Sequence, residues 1–220
     1  EPLYYSLKDE LISKNIFEPI AIYEYYPCIS HDNKLYIFDK KYIYNNLEEA
    51  KNVPPLSEAI KVLEFPRQKR KPFRCIADFF ANDRLDVVGF TLASAGLKIS
   101  DYEREFYDRG EFTKYYQVHG LGVELAEALA EVLHKQIRLD WDIVPKEGHK
   151  LSDVQMKQYV GCRYSPGYAA CPELSQNRDI FDLLNPEKYG IELSETFQMH
   201  PEQTTCAIVV HNKEANYYNV

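Results

Sequence analysis

Arg163-Tyr-Ser-Pro-Gly-Tyr-Ala-Ala-Cys-Pro-Glu173 gathers two prolines, a glycine, two tyrosines, an arginine and several small residues into one short run. Pro166 has φ fixed near −65° and Gly167 accepts positive φ at no steric cost, so Pro166-Gly167 predicts a tight turn. Pro172 bars a regular helix or central strand from continuing through the segment. Arg163, at the entrance, carries a planar fork of donors matched to a carboxylate. Tyr168 offers an aromatic face, and Ala169 and Ala170 let a ligand approach the backbone. The residues by themselves leave two readings open. One is a stiff loop holding a small molecule with a carboxylate at one end and a flat or cationic group at the other. The other is a solvated Pro-Gly turn whose arginine pairs with a nearby acid.

Outward from this loop, the pattern predicts a short helix over Ser152–Tyr159 ending at Gly161, and another capped by Asn177 and closed by Pro186. A long helix is expected over Tyr116–Trp141. Val118, Leu121, Leu125, Leu129 and Val132 form one apolar stripe on it, and Ala126, Ala130, Leu133 and Ile137 a second, so it should be covered on two sides. Upstream, helices are expected over Leu3–Lys14, from Ser57 through Leu63, and over Ser100–Arg109. Pro19–Tyr26 and Lys34–Phe38 read as a hairpin across Ser30-His31-Asp32-Asn33. Arg74–Phe80 and Val87–Ala93 read as a second antiparallel pair, and Phe197, Thr205–Val210 and Tyr217–Val220 as further strands. Hairpins and helices without regular β-α-β alternation argue for an α+β fold: a twisted antiparallel sheet, flanking helices and one long central helix.

The 220 residues, 45% of them apolar, suffice for one sizeable core. Twenty-six basic and 34 acidic residues give a formal charge of −8, which argues against a nucleic-acid partner. The one basic run, Arg67-Gln-Lys-Arg-Lys71, lies between Pro66 and Pro72 and reads as a solvated loop or a local docking patch. No apolar stretch is long enough to span a bilayer and no signal peptide is evident. Five scattered cysteines without C-x-x-C spacing point to buried, reduced thiols in the cytoplasm. A metal at Cys162 and Cys171 would need further ligands. No G-x-G-x-x-G precedes a helix, and Ser94, Ser165, His134 and His200 form no nucleophile–base constellation.

The loop is similar to the R-x-x-x-G-Y-P-A-C-P-E signature of the activation domain of cobalamin-dependent methionine synthase, which binds S-adenosylmethionine. Arg163, Pro166, Gly167, Tyr168, Ala170, Cys171, Pro172 and Glu173 match, whereas Ala169 replaces the family's usual proline. Cys75–Ala81 (CIADFFA) resembles the family's CLADFVA, and AEALAEVLHKQIR, ending at Arg138, resembles AEAFAEYLHERVR. LSETFQM, Leu193–Met199, resembles L-T-E-S-F-A-M, and His211–Val220 matches the family's H-P-x-S-x-Y-Y-x-V tail. The likeness is strongest over residues 75–220 and weaker back to Leu3, so residues 1–220 are expected to form a single domain of this type.

The resemblance implies that Arg163 clamps the methionine carboxylate and that Ser165 and Tyr168 line the adenosine, within a loop that also contains Gly167 and Ala170. It implies that Tyr217 and Tyr218 complete the pocket and that Glu127 faces the ammonium or sulfonium. Spacing alone makes Glu127 a solvated helix residue like Glu124 and Glu131. The implied function is presentation of S-adenosylmethionine for reductive remethylation, that is reactivation, of cob(II)alamin on a methionine synthase. The cobalamin belongs to a partner module, because this chain has no D-x-H-x-x-G motif, and a flavodoxin- or ferredoxin-type donor supplies the electron. Such chemistry needs no general acid or base from this chain, so its own standing as an enzyme is open. A standalone form acting in trans is expected from the end at Val220, with an excised domain as the other reading. Lys157 stands where the family has an acid, and no counterpart of the family's Asp-bearing arm precedes Leu3. Both departures imply lower affinity or a donor contributed by another chain, and they support the alternative of a non-catalytic ligand-sensing or scaffolding protein.

Overall fold

The computed structural model describes residues 2–143 and 159–220. After helix α1 (Pro2–Ser13), strand β1 (Ile20–His31) turns into β2 (Lys34–Ile37), and the short helix α2 (Leu47–Ala50) precedes β3 (Lys61–Glu64). Strand β4 (Asp86–Ser94) leads into helices α3 (Leu97–Asp108) and α4 (Phe112–Asp140). Then come β5 (Cys162–Tyr164), helix α5 (Gln176–Leu184), β6 (Glu192–Leu193), β7 (Met199–His200) and β8 (Thr204–Val210). Six strands make one sheet in the order β3-β2-β1-β4-β8-β5, and every neighbouring pair is antiparallel. The fold is α+β with a long helix on an antiparallel sheet, as the pattern of elements predicts.

Residue size decides which helix covers which face. Along β4, Val88, Phe90 and Leu92 alternate with Gly89, Thr91 and Ala93. Along β8, Cys206, Ile208 and Val210 alternate with Thr205, Ala207 and Val209. The register sets Phe90 opposite Ile208 and Thr91 opposite Ala207, so large residues share one face and small residues the other. The large face forms the main core with Ile180, Phe181 and Leu184 of α5. The small face accepts α4 closely, through Ala93, Ala130 and Leu133.

The two stripes of α4 meet different partners along its length. Val118 and Leu121 pack with Leu7, Leu11, Ile99 and Phe106 in a second core built on α1 and α3. Farther along, Ala130 and Leu133 meet the sheet, while Val132 is 65% exposed. The helix is therefore buttressed by helices at one end and laid on the sheet at the other, rather than covered on two sides throughout.

Several expected elements differ, each because side-chain or strand contacts override local propensity. The helix expected from Ser57 is a single 3-10 turn followed by β3, since Leu63 pairs with Leu35 and both are buried in the main core. The strand expected over Arg74–Phe80 is a 3-10 turn, Ile76–Phe79. Asp78 accepts the Cys75 amide at 3.0 Å and a bidentate pair from Arg67 at 2.6 and 2.7 Å, which holds that turn. Strand β4 pairs with β1 and β8 instead. Asn177 does not cap α5: it sits inside the helix, its Nδ2 donating to the Phe197 carbonyl at 3.0 Å. Phe197 itself lies in a turn with φ 62°. Residues 217–220 form no strand. The short helix expected over Ser152–Tyr159 and the Lys157 position lie, up to residue 158, outside the described residues.

Gly161 enters β5 with φ +93°, and a Cβ there would sit 2.5 Å from the Val210 carbonyl oxygen. Gly161→Ala therefore adds left-handed strain to a backbone clash and is expected to destabilise the fold by about 1–3 kcal/mol in urea titration. A change within about 0.5 kcal/mol would contradict the close approach of β5 to β8 described here.

Candidate functional site

Beyond β5 the chain makes the predicted turn. The Tyr168 amide donates to the Ser165 carbonyl at 3.3 Å, and Gly167 takes φ +90°, the positive value that a type II turn requires at its third residue. The Gly167 amide then bonds the Cys171 carbonyl at 2.8 Å and the Cys171 amide bonds the Tyr168 carbonyl at 2.9 Å. Cys171 is anchored from below: its thiol lies 3.0 Å from Gln176 Oε1, while Gln176 Nε2 donates to the Glu64 carbonyl at 2.7 Å. The loop is thus tied to α5 and to β3.

Arg163 pairs with Val209, placing it on the small-residue face beneath α4. Its side chain is only 10% exposed, and Nη2 donates to Glu131 Oε1 at 2.6 Å, with Glu127 Oε2 at 3.9 Å. Glu127 and Glu131 stand four residues apart on one helix face, where like charges repel by about 0.2–0.5 kcal/mol. The guanidinium offsets that repulsion. Glu131 is therefore not the solvated residue the sequence suggested; its spacing from Glu127 was the available signal.

Tyr164 faces the opposite side. Its ring stacks on Phe79 at 6.2 Å with an interplanar angle of 8°, and Tyr217 and Tyr218 meet it edge-on at 6.0 and 6.2 Å. Its hydroxyl donates to the Asn216 carbonyl at 2.8 Å. Burial pushes the phenols of Tyr164, Tyr217 and Tyr218 above the ordinary tyrosine range, so all three stay neutral.

The tail carrying Tyr217 and Tyr218 is held in place by side chains rather than by strand pairing. His211 Nε2 lies 2.7 Å from Asp86 Oδ1, and Asn212 Nδ2 donates to the Phe79 carbonyl at 3.2 Å. Arg74 donates to Asn216 Oδ1 at 2.9 Å, and Gln68 Nε2 to the Asn219 carbonyl at 2.7 Å. The basic run is consequently more than a solvated loop: Arg67 braces the 76–79 turn, and Gln68 pins the tail.

These elements enclose a cavity of about 480 Å³. Glu127 and Arg163 form one wall, Ser165, Tyr168 and Ala170 the loop side, and Tyr217 and Tyr218 the tail side. Tyr164, Thr205 and Asn219 also line it, and sequence reading had singled out none of these three for the site. Of the expected site residues, only Gly167 does not line the cavity; it shapes the turn, exposed and facing Leu174. The Tyr218 hydroxyl is buried on the side of Cys75, Asp78 and Arg67, without a hydrogen-bond partner among the described residues, at a cost of about 1–3 kcal/mol.

Burial raises the Cys171 and Cys206 thiols to about 12, which leaves them unreactive. Among the described residues no group of three or more His, Cys, Asp or Glu is placed to hold a metal, and no helix is long and apolar enough to cross a membrane.

His134, one turn beyond Glu131, is fully buried edge-on to Tyr159 at 5.1 Å, and neither ring nitrogen has a hydrogen-bond partner among the described residues. Burial, then the Arg138 and Arg163 charges, lower its pKa from 6.5 to about 2. The folded chain keeps it neutral, while the unfolded chain protonates it below about pH 6.5, so its contribution to stability is complete above that pH and is lost as pH falls. Between about pH 6.5 and 5 this loss is expected to reach up to about 1.4 kcal/mol per pH unit. Urea titrations of the parent and His134→Phe at both pH values should show a shallower acid slope in the variant. Identical slopes would mean that His134 already takes up a proton in the folded state.

Comparison with known proteins came to the same architecture. Residues 5–220 match the family described as vitamin B12 dependent methionine synthase, activation domain. The chain is 36% identical to the methionine synthase of Mycobacterium tuberculosis over 96% of its own length, and 36% identical to that of Mycobacterium leprae over 91%. It spans only 18% and 17% of those two proteins. A solved structure described as the MetH reactivation domain bound to AdoHcy superposes with a TM-score of 0.85 at 24% identity, covering 98% of this chain and 65% of the other.

Proposed function

The chain belongs to the activation-domain family of vitamin B12 dependent methionine synthase, and on that premise we propose that its tyrosine-lined cavity binds S-adenosylmethionine and presents the methyl group for reactivation of cob(II)alamin on a partner module. Residues 1–220 act in this reading as a single activation-type domain, in the cytoplasm. The observation that carries it is the meeting of Arg163, Glu127 and the tail tyrosines around one cavity. That cavity, at about 480 Å³, falls within the range of about 300–1,000 Å³ usual for small-molecule sites.

The wall residues suit the parts of the ligand. Arg163 offers fork geometry to the amino-acid carboxylate. Glu127 supplies negative charge for the ammonium or sulfonium, and the neutral tyrosine rings give π-faces to a cation and to the adenine. Ser165, Tyr168 and Ala170 follow the nucleoside. When bound, the sulfonium brings its own leaving group, so the protein's task is positioning and electrostatics. The description of the related reactivation-domain structure as bound to AdoHcy, the demethylated form of this nucleoside, supports an adenosyl ligand here. The electron that reductive methylation requires is assigned to a flavodoxin- or ferredoxin-type donor.

Titration calorimetry with S-adenosylmethionine tests the reading. Arg163→Ala should weaken binding by about 30- to 1000-fold, corresponding to about 2–4 kcal/mol for a lost charged clamp. Absence of heat from the parent protein at about millimolar ligand would defeat the proposal and favour a ligand-sensing or scaffolding role.

A further inference from the structure

We infer that Gln68 and Arg74 are positioning residues for the cavity: they hold the segment 216–219 in its docked place, and through Tyr217 and Tyr218 they set the affinity for the ligand. The inference rests on the S-adenosylmethionine reading of the cavity and adds to it two residues that do not line the site.

The tyrosine wall has little backbone support of its own. Residues 216–219 form no strand, and Tyr217 is 52% exposed. Without ladder hydrogen bonds, the entropy lost in ordering this stretch has to be offset by contacts from other segments. Two of the described contacts bracket the tyrosine pair. Arg74 Nη1 donates to Asn216 Oδ1 at 2.9 Å, just before it, and Gln68 Nε2 donates to the Asn219 carbonyl at 2.7 Å, just after it. The Tyr164 hydroxyl adds a bond to the Asn216 carbonyl at 2.8 Å.

Both clasping side chains stand on a loop that is braced without help from the cavity. The Gln68 amide donates to the Arg74 carbonyl at 2.9 Å, and Gln68 Oε1 accepts the Arg74 amide at 3.2 Å, which leaves Nε2 directed at the tail. Arg67 Nε donates to Asn33 Oδ1 at 2.9 Å and Nη1 to the Phe73 carbonyl at 2.8 Å, in addition to its pair with Asp78. The loop is therefore fixed to the β1–β2 turn and to the 76–79 turn, and it holds at two points a segment whose Tyr217, Tyr218 and Asn219 line the cavity. A ligand that needs this wall binds with an affinity reduced in proportion to the fraction of chains in which the wall is docked. Losing a clasp lowers that fraction. By reciprocity, the bound ligand holds the segment down.

Titration calorimetry with S-adenosylmethionine on the full chain provides the test. Gln68→Ala and Arg74→Ala should each weaken binding by about three- to tenfold. Asn216→Ala removes the acceptor of the same bond, so the Arg74→Ala/Asn216→Ala pair should bind within about twofold of the weaker single variant. Arg74→Lys keeps a cationic donor and should recover affinity to within about threefold of the parent. In the parent itself, hydrogen exchange at the amides of residues 217–219, read by mass spectrometry, should slow by about threefold or more at saturating ligand. Parental affinity in both alanine variants, losses that add in the Arg74–Asn216 pair, no recovery in Arg74→Lys, or exchange indifferent to ligand would each overturn the inference while leaving the cavity as a nucleoside site. Failure of S-adenosylmethionine to bind the parent would instead overturn the reading on which it rests.

Discussion

The separation of large from small side chains on the two faces of β4 and β8 is the constraint on which the rest of this structure depends. Gly89, Thr91 and Ala93 opposite Val209, Ala207 and Thr205 leave a shallow face, and a helix of 29 residues can lie on it closely. Were that face lined by leucines, α4 would stand off the sheet, and carboxylates on its underside would lose reach to Arg163. The same alternation sends Phe90, Leu92 and Ile208 into the main core with α5, and α5 in turn anchors the loop through Gln176 and Cys171. One period-two pattern thus supports both walls of the cavity.

Charge is arranged with comparable economy. The chain is strongly acidic overall, yet its largely buried arginine at the cavity is met by carboxylates from a single helix face, spaced to share it. Arg67 gives bidentate bonds to Asp78, and Arg74 and Gln68 hold the tail. A run that looks in sequence like a solvated loop therefore works as the clasp on the segment that brings Tyr217 and Tyr218 to the cavity. The tail needs that clasp because it forms no strand and has little backbone pairing of its own.

Much of the fold and site was legible in the sequence, and the failures share a cause. The long helix, the first hairpin and the Pro166-Gly167 turn were readable because periodicity, turn chemistry and a fixed φ are local properties. The segments at 57–63, 74–80 and 217–220 were misread because their conformations are set by Leu35, Arg67 and Asp86, residues outside those segments. Asn177 looked like a helix cap by type, but its amide is used by Phe197 across the core. Glu131 was passed over for a similar reason: its four-residue spacing from Glu127 puts the two on one helix face, but only the tertiary structure brings a strand arginine to that face.

By itself, the sequence determined that this chain folds as α+β with a long helix, that it bends stiffly at Pro166-Gly167, and that it resembles a known family through extended matching segments. Those features depend on residue type and near-neighbour spacing, which a linear string records in full. Tertiary structure alone decided that Arg163 pairs with Glu131, that a strandless tail closes the tyrosine box, and that the Tyr218 hydroxyl is buried beside Cys75 and Asp78. Each of these depends on which side chains meet after distant segments pack, and burial then strengthens the charges and hydrogen bonds brought together there.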